Sequence, residues 1–146
     1  MNILKVLTSR RRLGNFGENA AAQYLRRNGY KIIKRNYVGK HGEIDIIASK
    51  DSLIAFLEVK TRNCDAISNI EARPAASVTK EKQRKLINVA NEYARRTHKT
   101  DGIFMRMDII EVLTFKTPKG KNKIKDLIHI ENAFDMNTAY QRFSSR

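Results

Sequence analysis

A single cysteine, Cys64, in 146 residues excludes an internal disulfide. His41, His98 and His129 are scattered along the chain, so even with that thiol no zinc-type ligand spacing exists. The longest apolar runs are strand length, too short for a membrane-spanning helix. Met1 to Gly14 is basic, yet it lacks the apolar stretch of a secretory signal, and cytoplasm is the expected compartment. Neither a phosphate-cradling P-loop nor a Gly-x-Ser-x-Gly elbow occurs, which disfavours NTPase and serine-hydrolase chemistry. Acid is also scarce: 15 Asp+Glu stand against 29 Lys+Arg, for a net charge of +14 and a pI of about 10.2.

That charge points to a polyanion partner. Basic residues cluster at Arg10 to Arg12, Arg26 to Lys40, Lys80 to Lys85, Arg95 to Lys99 and Lys116 to Lys125. No aromatic-rich interfacial helix accompanies them, so DNA, with RNA as the other polyanion, is expected rather than a membrane. No repeat or boundary divides the chain. A single domain over 1–146 follows, with 1–12 as a basic arm and 138–146 as a loose tail. A chain of this length buries roughly 68–70% of its unfolded surface and needs no disulfide or structural metal to fold.

The chemistry concentrates in one hairpin. Gly42-Glu43-Ile44-Asp45-Ile46-Ile47-Ala48 and Leu53-Ile54-Ala55-Phe56-Leu57-Glu58-Val59-Lys60 flank the turn-prone Ser49-Lys50-Asp51-Ser52. A four-residue loop pairing Ala48 with Leu53 sets Asp45 diagonal to Glu58, and a slip of two sets them directly opposite. In either register, alternation keeps Asp45, Glu58 and Lys60 on one face, with Glu43 beside Asp45. Glu58 and Lys60 continue the row of Ile54 and Phe56, which reads as core-facing, and charges there need partners or a metal. Mg²⁺ suits one or two carboxylates plus waters and phosphate oxygens, and a lysine can orient water or neutralise developing charge. The plainer alternative is a strand end emerging into solvent.

Leu13 to Asn28 reads as a helix closed by Gly29, with Ala21, Ala22 and Leu25 inward and Glu18 at the edge of that stripe. Glu18 reads equally as a site acid or as an acid favoured by the helix dipole. Tyr30 to Tyr37 reads as a strand, Gly39 to Gly42 as a turn, and Thr79 to Arg96 as a helix capped by Thr79 or Ser77. Leu86, Val89, Ala90, Tyr93 and Ala94 form its inward stripe. Ile103 to Thr114 and Lys123 to Ile130 read as strands joined at Pro118-Lys119-Gly120, completing an α/β fold with a mixed sheet flanked by helices.

Gly17-Glu18-Asn19-Ala20-Ala21, Gly29-Tyr30, Gly42-Glu43-Ile44-Asp45 and Phe56-Leu57-Glu58-Val59-Lys60-Thr61-Arg62 together resemble the YraN family of small bacterial proteins. Val78-Thr79-Lys80 and the end from Ile128 to Phe134 extend the resemblance. That family is similar to archaeal Holliday-junction resolvases of the restriction-endonuclease-like superfamily. The resemblance implies a restriction-endonuclease-like core and a Mg²⁺- or Mn²⁺-dependent endonuclease site. It assigns catalytic roles to Glu18, Asp45, Glu58 and Lys60, with Asp45, Glu58 and the Val59 carbonyl holding metal and Glu18 as a further candidate ligand. The other class open to the same chain is a non-catalytic nucleic-acid-binding module.

Arg10, Arg11, Arg12, Lys34, Arg35, Arg62, Lys80 and Gln83 are the candidate nucleic-acid contacts on charge and placement. Lys80 and Gln83 read alternatively as a solvated helix end, and His41 as a surface residue in a glycine turn. The substrate structure and the pairing of two protomers into a homodimer to cut two strands are left open.

Overall fold

The continuous apolar runs Ile46-Ile47-Ala48 and Leu53-Ile54-Ala55-Phe56-Leu57 give the sheet two apolar faces, and one helix covers each. A computed structural model describes residues 2–64, 78–97 and 102–136. In chain order the elements are α1 (Ile3–Arg27), β1 (Lys31–Val38), β2 (Glu43–Lys50), β3 (Leu53–Asn63), α2 (Lys80–Thr97), β4 (Phe104–Lys116) and β5 (Asn122–Phe134). The five strands lie in the order β1-β2-β3-β4-β5. All neighbours are antiparallel except β3 and β4, which run parallel because α2 lies in the crossover between them. The expected 138–146 tail lies outside the described residues, as does most of the connection before Val78.

On one face Ala20, Ala21, Ala22 and Leu25 of α1 pack on Ile46, Ala48, Ala55, Leu57, Ile110 and Val112. On the other, Leu86, Ile87, Val89, Ala90 and Tyr93 of α2 pack on Ile47, Phe56, Met107 and Ile109. The alanines let α1 approach the sheet closely. Closest of all is Gly17, where an added Cβ would lie 1.8 Å from Thr61 Oγ1.

Helix α1 starts at Ile3, not Leu13, because Asn2 caps it: Leu4 N–H donates to Asn2 Oδ1 at 3.1 Å. Arg10, Arg11 and Arg12 of the basic arm therefore stand exposed on a helix. The sequence pattern misses these turns because Ile3, Leu4 and Leu7 are 75%, 71% and 55% exposed and form no buried stripe. The expected stop at Gly29 is observed: its φ is 85°, its N–H bonds Arg26 O, and Tyr30 N–H bonds Leu25 O.

A buried polar cluster pins β4 and β5 beneath α1. Asp108, fully buried, accepts from Arg106 Nε at 2.7 Å, Arg106 Nη2 at 2.8 Å and Asn132 N at 3.0 Å, and its Oδ2 lies 2.8 Å from His129 Nε2. Arg106 also reaches the Tyr30 hydroxyl, and Tyr24 meets the other nitrogen of His129. The β4–β5 register shifts between Met107 and Ile109, and Asn132 takes φ 50° to aim its N–H at the carboxylate. Burial pushes the Asp108 carboxyl up, but bonds from His129, Arg106 and Asn132 outweigh it and hold it below the usual carboxylate range.

Candidate metal and nucleic-acid site

The β2–β3 hairpin is tighter than a four-residue loop. Lys50 pairs with Leu53 across Asp51-Ser52, and Asp51 takes φ 53°. Of the two registers compatible with the sequence, this is the one slipped by two. Continued one position beyond the pair Ile46 and Leu57, it sets Asp45 opposite Glu58. At that point the strands stop laddering, because Asp45 Oδ2 accepts the Val59 N–H at 2.8 Å. Alternation in β2 also breaks there: Ile44 packs with the α2-side core and Ile46 with the α1-side core. The break leaves the Asp45 carboxyl where the hairpin ladder ends, against the Val59 peptide of β3.

Strand β3 delivers Glu58 and Lys60 on its α2 face, in the row of Ile54 and Phe56. Glu58 is only 7% exposed. Its Oε1 lies 3.3 Å from Lys60 Nζ and 2.6 Å from Lys82 Nζ, the latter reaching over from the first turn of α2. Burial, then the Glu58 charge, pushes the Asp45 carboxyl up to about 7, against the lowering effect of the Val59 N–H; Glu18 adds a smaller push upward. Burial pulls the Lys82 ammonium down, but its hydrogen bond to Glu58 and the carboxylate charge prevail, and its pKa is raised.

Glu18 approaches from α1, facing β1. It pairs with Arg35 at 3.6 Å, and the Asn36 amide nitrogen, oriented by the carboxylates around it, donates to Glu18 Oε2 at 3.2 Å and Glu43 Oε1 at 3.1 Å. Asn36 takes φ 51° at this irregular point opposite Asp45. Among the described residues no group of three or more His, Cys, Asp or Glu side chains stands in metal-ligand geometry. The close acidic pair is Asp45 and Glu58, with Glu18 outside it.

The remaining candidates separate by engagement. Arg62 is ion-paired with Glu111 at 3.4 Å, and Glu111 is 5% exposed. Arg35 is held by Glu18. The Gln83 amide donates to Val78 O at 3.0 Å, beside the predicted Thr79 cap, whose Oγ1 accepts from Lys82 N at 3.2 Å. Lys34, Lys80, His41 and Arg10 to Arg12 are exposed.

Two groups at this site escape the sequence reading. Lys82 sits in the first turn of α2, indistinguishable in sequence from Lys80 and Lys85. Glu111 is paired with Lys60 across the parallel β3–β4 ladder, a register that no local pattern specifies. Burial pushes the Glu111 carboxyl up, against the charge of Arg62. The one available signal was Glu111 itself, an acid inside the apolar run Ile109 to Leu113.

As a metal seat the pair fits in its donor chemistry. Two carboxylate side chains, buried and close enough together to raise Asp45, offer hard oxygen atoms beside the Val59 peptide, and Mg²⁺ takes one or two protein carboxylates with water and phosphate oxygens completing the shell. Among the described residues no helix is long and apolar enough to cross a membrane.

Residues 17–112 match the profile of the Uncharacterised protein family UPF0102. A UPF0102 protein of Chlorobium phaeobacteroides is 41% identical over 122 residues, covering 84% of this chain and 92% of its own length. One of Caldicellulosiruptor saccharolyticus is 39% identical over 126 residues, covering 86% and 99%. One of Desulfosudis oleivorans is 38% identical over 134 residues, covering 92% and 98%. The matched span runs from Gly17, against Thr61, through Asp45, Glu58, Lys60 and Lys82 to the strand that carries Glu111, and the chain belongs to the YraN-like UPF0102 family.

Proposed function

We propose that this protein is a Mg²⁺- or Mn²⁺-dependent endonuclease that hydrolyses phosphodiester bonds of DNA, with branched or junction DNA as the candidate substrate and a restriction-endonuclease-like core as its framework. The observation that carries the reading is the meeting of Asp45, Glu58 and Lys60 where a hairpin ladder ends, with Glu58 almost fully buried. A buried carboxylate beside a second one is costly unless cations serve it. The net charge of +14 supplies attraction for a polyphosphate.

Asp45 and Glu58, with the Val59 carbonyl, would hold the ion. A bound divalent ion supplies Lewis acidity toward a phosphoryl oxygen and acidifies water. Lys60 is anchored on β3 by Glu58, so its ammonium is placed to orient the attacking water or to donate toward a non-bridging phosphate oxygen. Asp45 is fixed by the Val59 N–H, which sets its orientation before substrate arrives. Glu18 acts by holding Arg35 and Asn36 at the β1 side of the site. The exposed Lys34, Lys80 and Arg10 to Arg12 would bind backbone phosphates without reading sequence.

The second reading, a nucleic-acid-binding module without turnover, is favoured by one observation: no third ligating side chain joins the pair among the described residues. A cleavage screen over branched, duplex and single-stranded DNA and RNA with Mg²⁺ or Mn²⁺ separates the two. The nuclease reading expects metal-dependent products that Asp45→Asn and Glu58→Gln abolish while nucleic-acid binding persists or tightens. Binding without cleavage under every condition establishes the module, and equal cleavage by the two variants assigns the activity elsewhere.

A further inference from the structure

Lys82 is a cation in the first turn of a helix, where the positive end of the helix dipole disfavours it. Lys80 of the same turn is exposed, whereas Lys82 reaches a buried acid on β3. Its backbone is fixed by the bond from Lys82 N to Thr79 Oγ1 at 3.2 Å, and its side chain crosses to β3, where Nζ lies 2.6 Å from Glu58 Oε1. Lys60 holds the same oxygen at 3.3 Å. Two ammonium groups thus crowd one oxygen of a buried carboxylate.

A divalent cation bound to that oxygen is repelled by both ammonium groups, so its entry favours the departure of the one less firmly tied to the site. Lys60 projects from the strand that carries Glu58, and its side chain is 28% exposed. The Lys82 side chain is 42% exposed and spans the gap from another element, so it can swing outward without disturbing β3. We infer that Lys82 is a resident counter-ion that neutralises the carboxylate site when no divalent cation is present, leaves Glu58 when one enters, and then faces the phosphate backbone of a bound strand. The inference rests on the divalent-ion reading above and extends it: cation binding and nucleic-acid binding become coupled through one side chain.

The test is Mn²⁺ binding by calorimetry on the full chain, comparing wild type with Lys82→Met and Lys82→Gln. Lys85→Met serves as a control, because Lys85 pairs only loosely with exposed Glu81 on the same helix. Removing the competing charge should tighten Mn²⁺ binding roughly tenfold or more in both Lys82 variants. Lys85→Met should leave it unchanged. Without metal, the Lys82 variants should melt below wild type, because Glu58 loses a partner, and Mn²⁺ should return more of their stability. By fluorescence anisotropy, Ca²⁺ should strengthen wild-type binding to duplex DNA, and the gain should shrink in Lys82→Met. Equal or weaker Mn²⁺ affinity in both Lys82 variants, with wild type still binding the ion, overturns the counter-ion role alone. Absence of Mn²⁺ binding in wild type and variants overturns the metal reading and this inference with it.

Discussion

Replacing Gly17 by alanine should destabilise the protein, although alanine is the better helix former. At an ordinary helical position the exchange gains about 1 kcal/mol. Here the new Cβ would lie 1.8 Å from Thr61 Oγ1, 2.8 Å from Thr61 Cβ and 2.9 Å from Thr61 Cγ2. Rotating the threonine cannot clear it, because the Cβ contact is independent of the rotamer, so α1 must lift from β3. Forcing an extra carbon into a packed contact costs about 1–3 kcal/mol. The net loss is up to about 2 kcal/mol, or several degrees of melting temperature for a domain of this size. Gly17 precedes Glu18, so the lift should also disturb the Glu18–Arg35 pair.

The assay is thermal and urea unfolding of wild type, Gly17→Ala, Thr61→Ala and the double variant. Thr61→Ala removes Oγ1 and Cγ2 while leaving Cβ, so rescue should be partial, with a coupling of about 1 kcal/mol. If Gly17→Ala alone melts at or above wild type, α1 is not seated on β3 at Thr61.

Mg²⁺ at about one hundred times its Kd should add roughly 2.7 kcal/mol of stability by mass action. Asp45→Asn should remove that thermal shift more completely than Glu43→Gln, and an undiminished shift in Asp45→Asn would place the ion elsewhere. Asp108→Asn should cost about 3–5 kcal/mol in denaturant unfolding, because it strands the buried partners of a charge network. The folded pKa of Asp108 lies below its unfolded value, so its contribution is fully present above about pH 4 and fades as pH falls through the folded value. Melting curves from pH 6 down to pH 2 should show wild type converging on Asp108→Asn, and parallel curves would contradict this. Affinity for duplex DNA should fall with salt at a log–log slope of about −0.9 per phosphate neutralised. Substituting Arg10, Arg11 and Arg12 together should flatten the slope, measured by anisotropy; an unchanged slope removes that helix face from the interface.

The amino-acid sequence by itself determined every element carried by local periodicity or a local stop signal. Gly29 could be read as the end of α1 because a left-handed residue closes the helix whatever lies around it. The row Ile54, Phe56, Glu58, Lys60 could be read because alternation along β3 is intrinsic to an extended chain. Thr79 could be read as a cap for the same kind of reason, since its hydroxyl bonds a backbone N–H three residues away. The first turns of α1 could not, since exposed Ile3, Leu4 and Leu7 leave no buried stripe to detect.

Tertiary structure decided the rest. Two hairpin registers satisfied the same alternation, and the turn at Asp51-Ser52 selected the one that sets Asp45 opposite Glu58. The break in β2 alternation depends on the Asp45 carboxylate capturing the Val59 N–H, a contact between strands. The parallel β3–β4 pairing, which brings Glu111 beside Lys60, is made across a long crossover and has no local code. Lys82 became distinct from its neighbouring lysines only when α2 packed over β3, because the partner that gives an ion pair its role is supplied by whichever element folds against it.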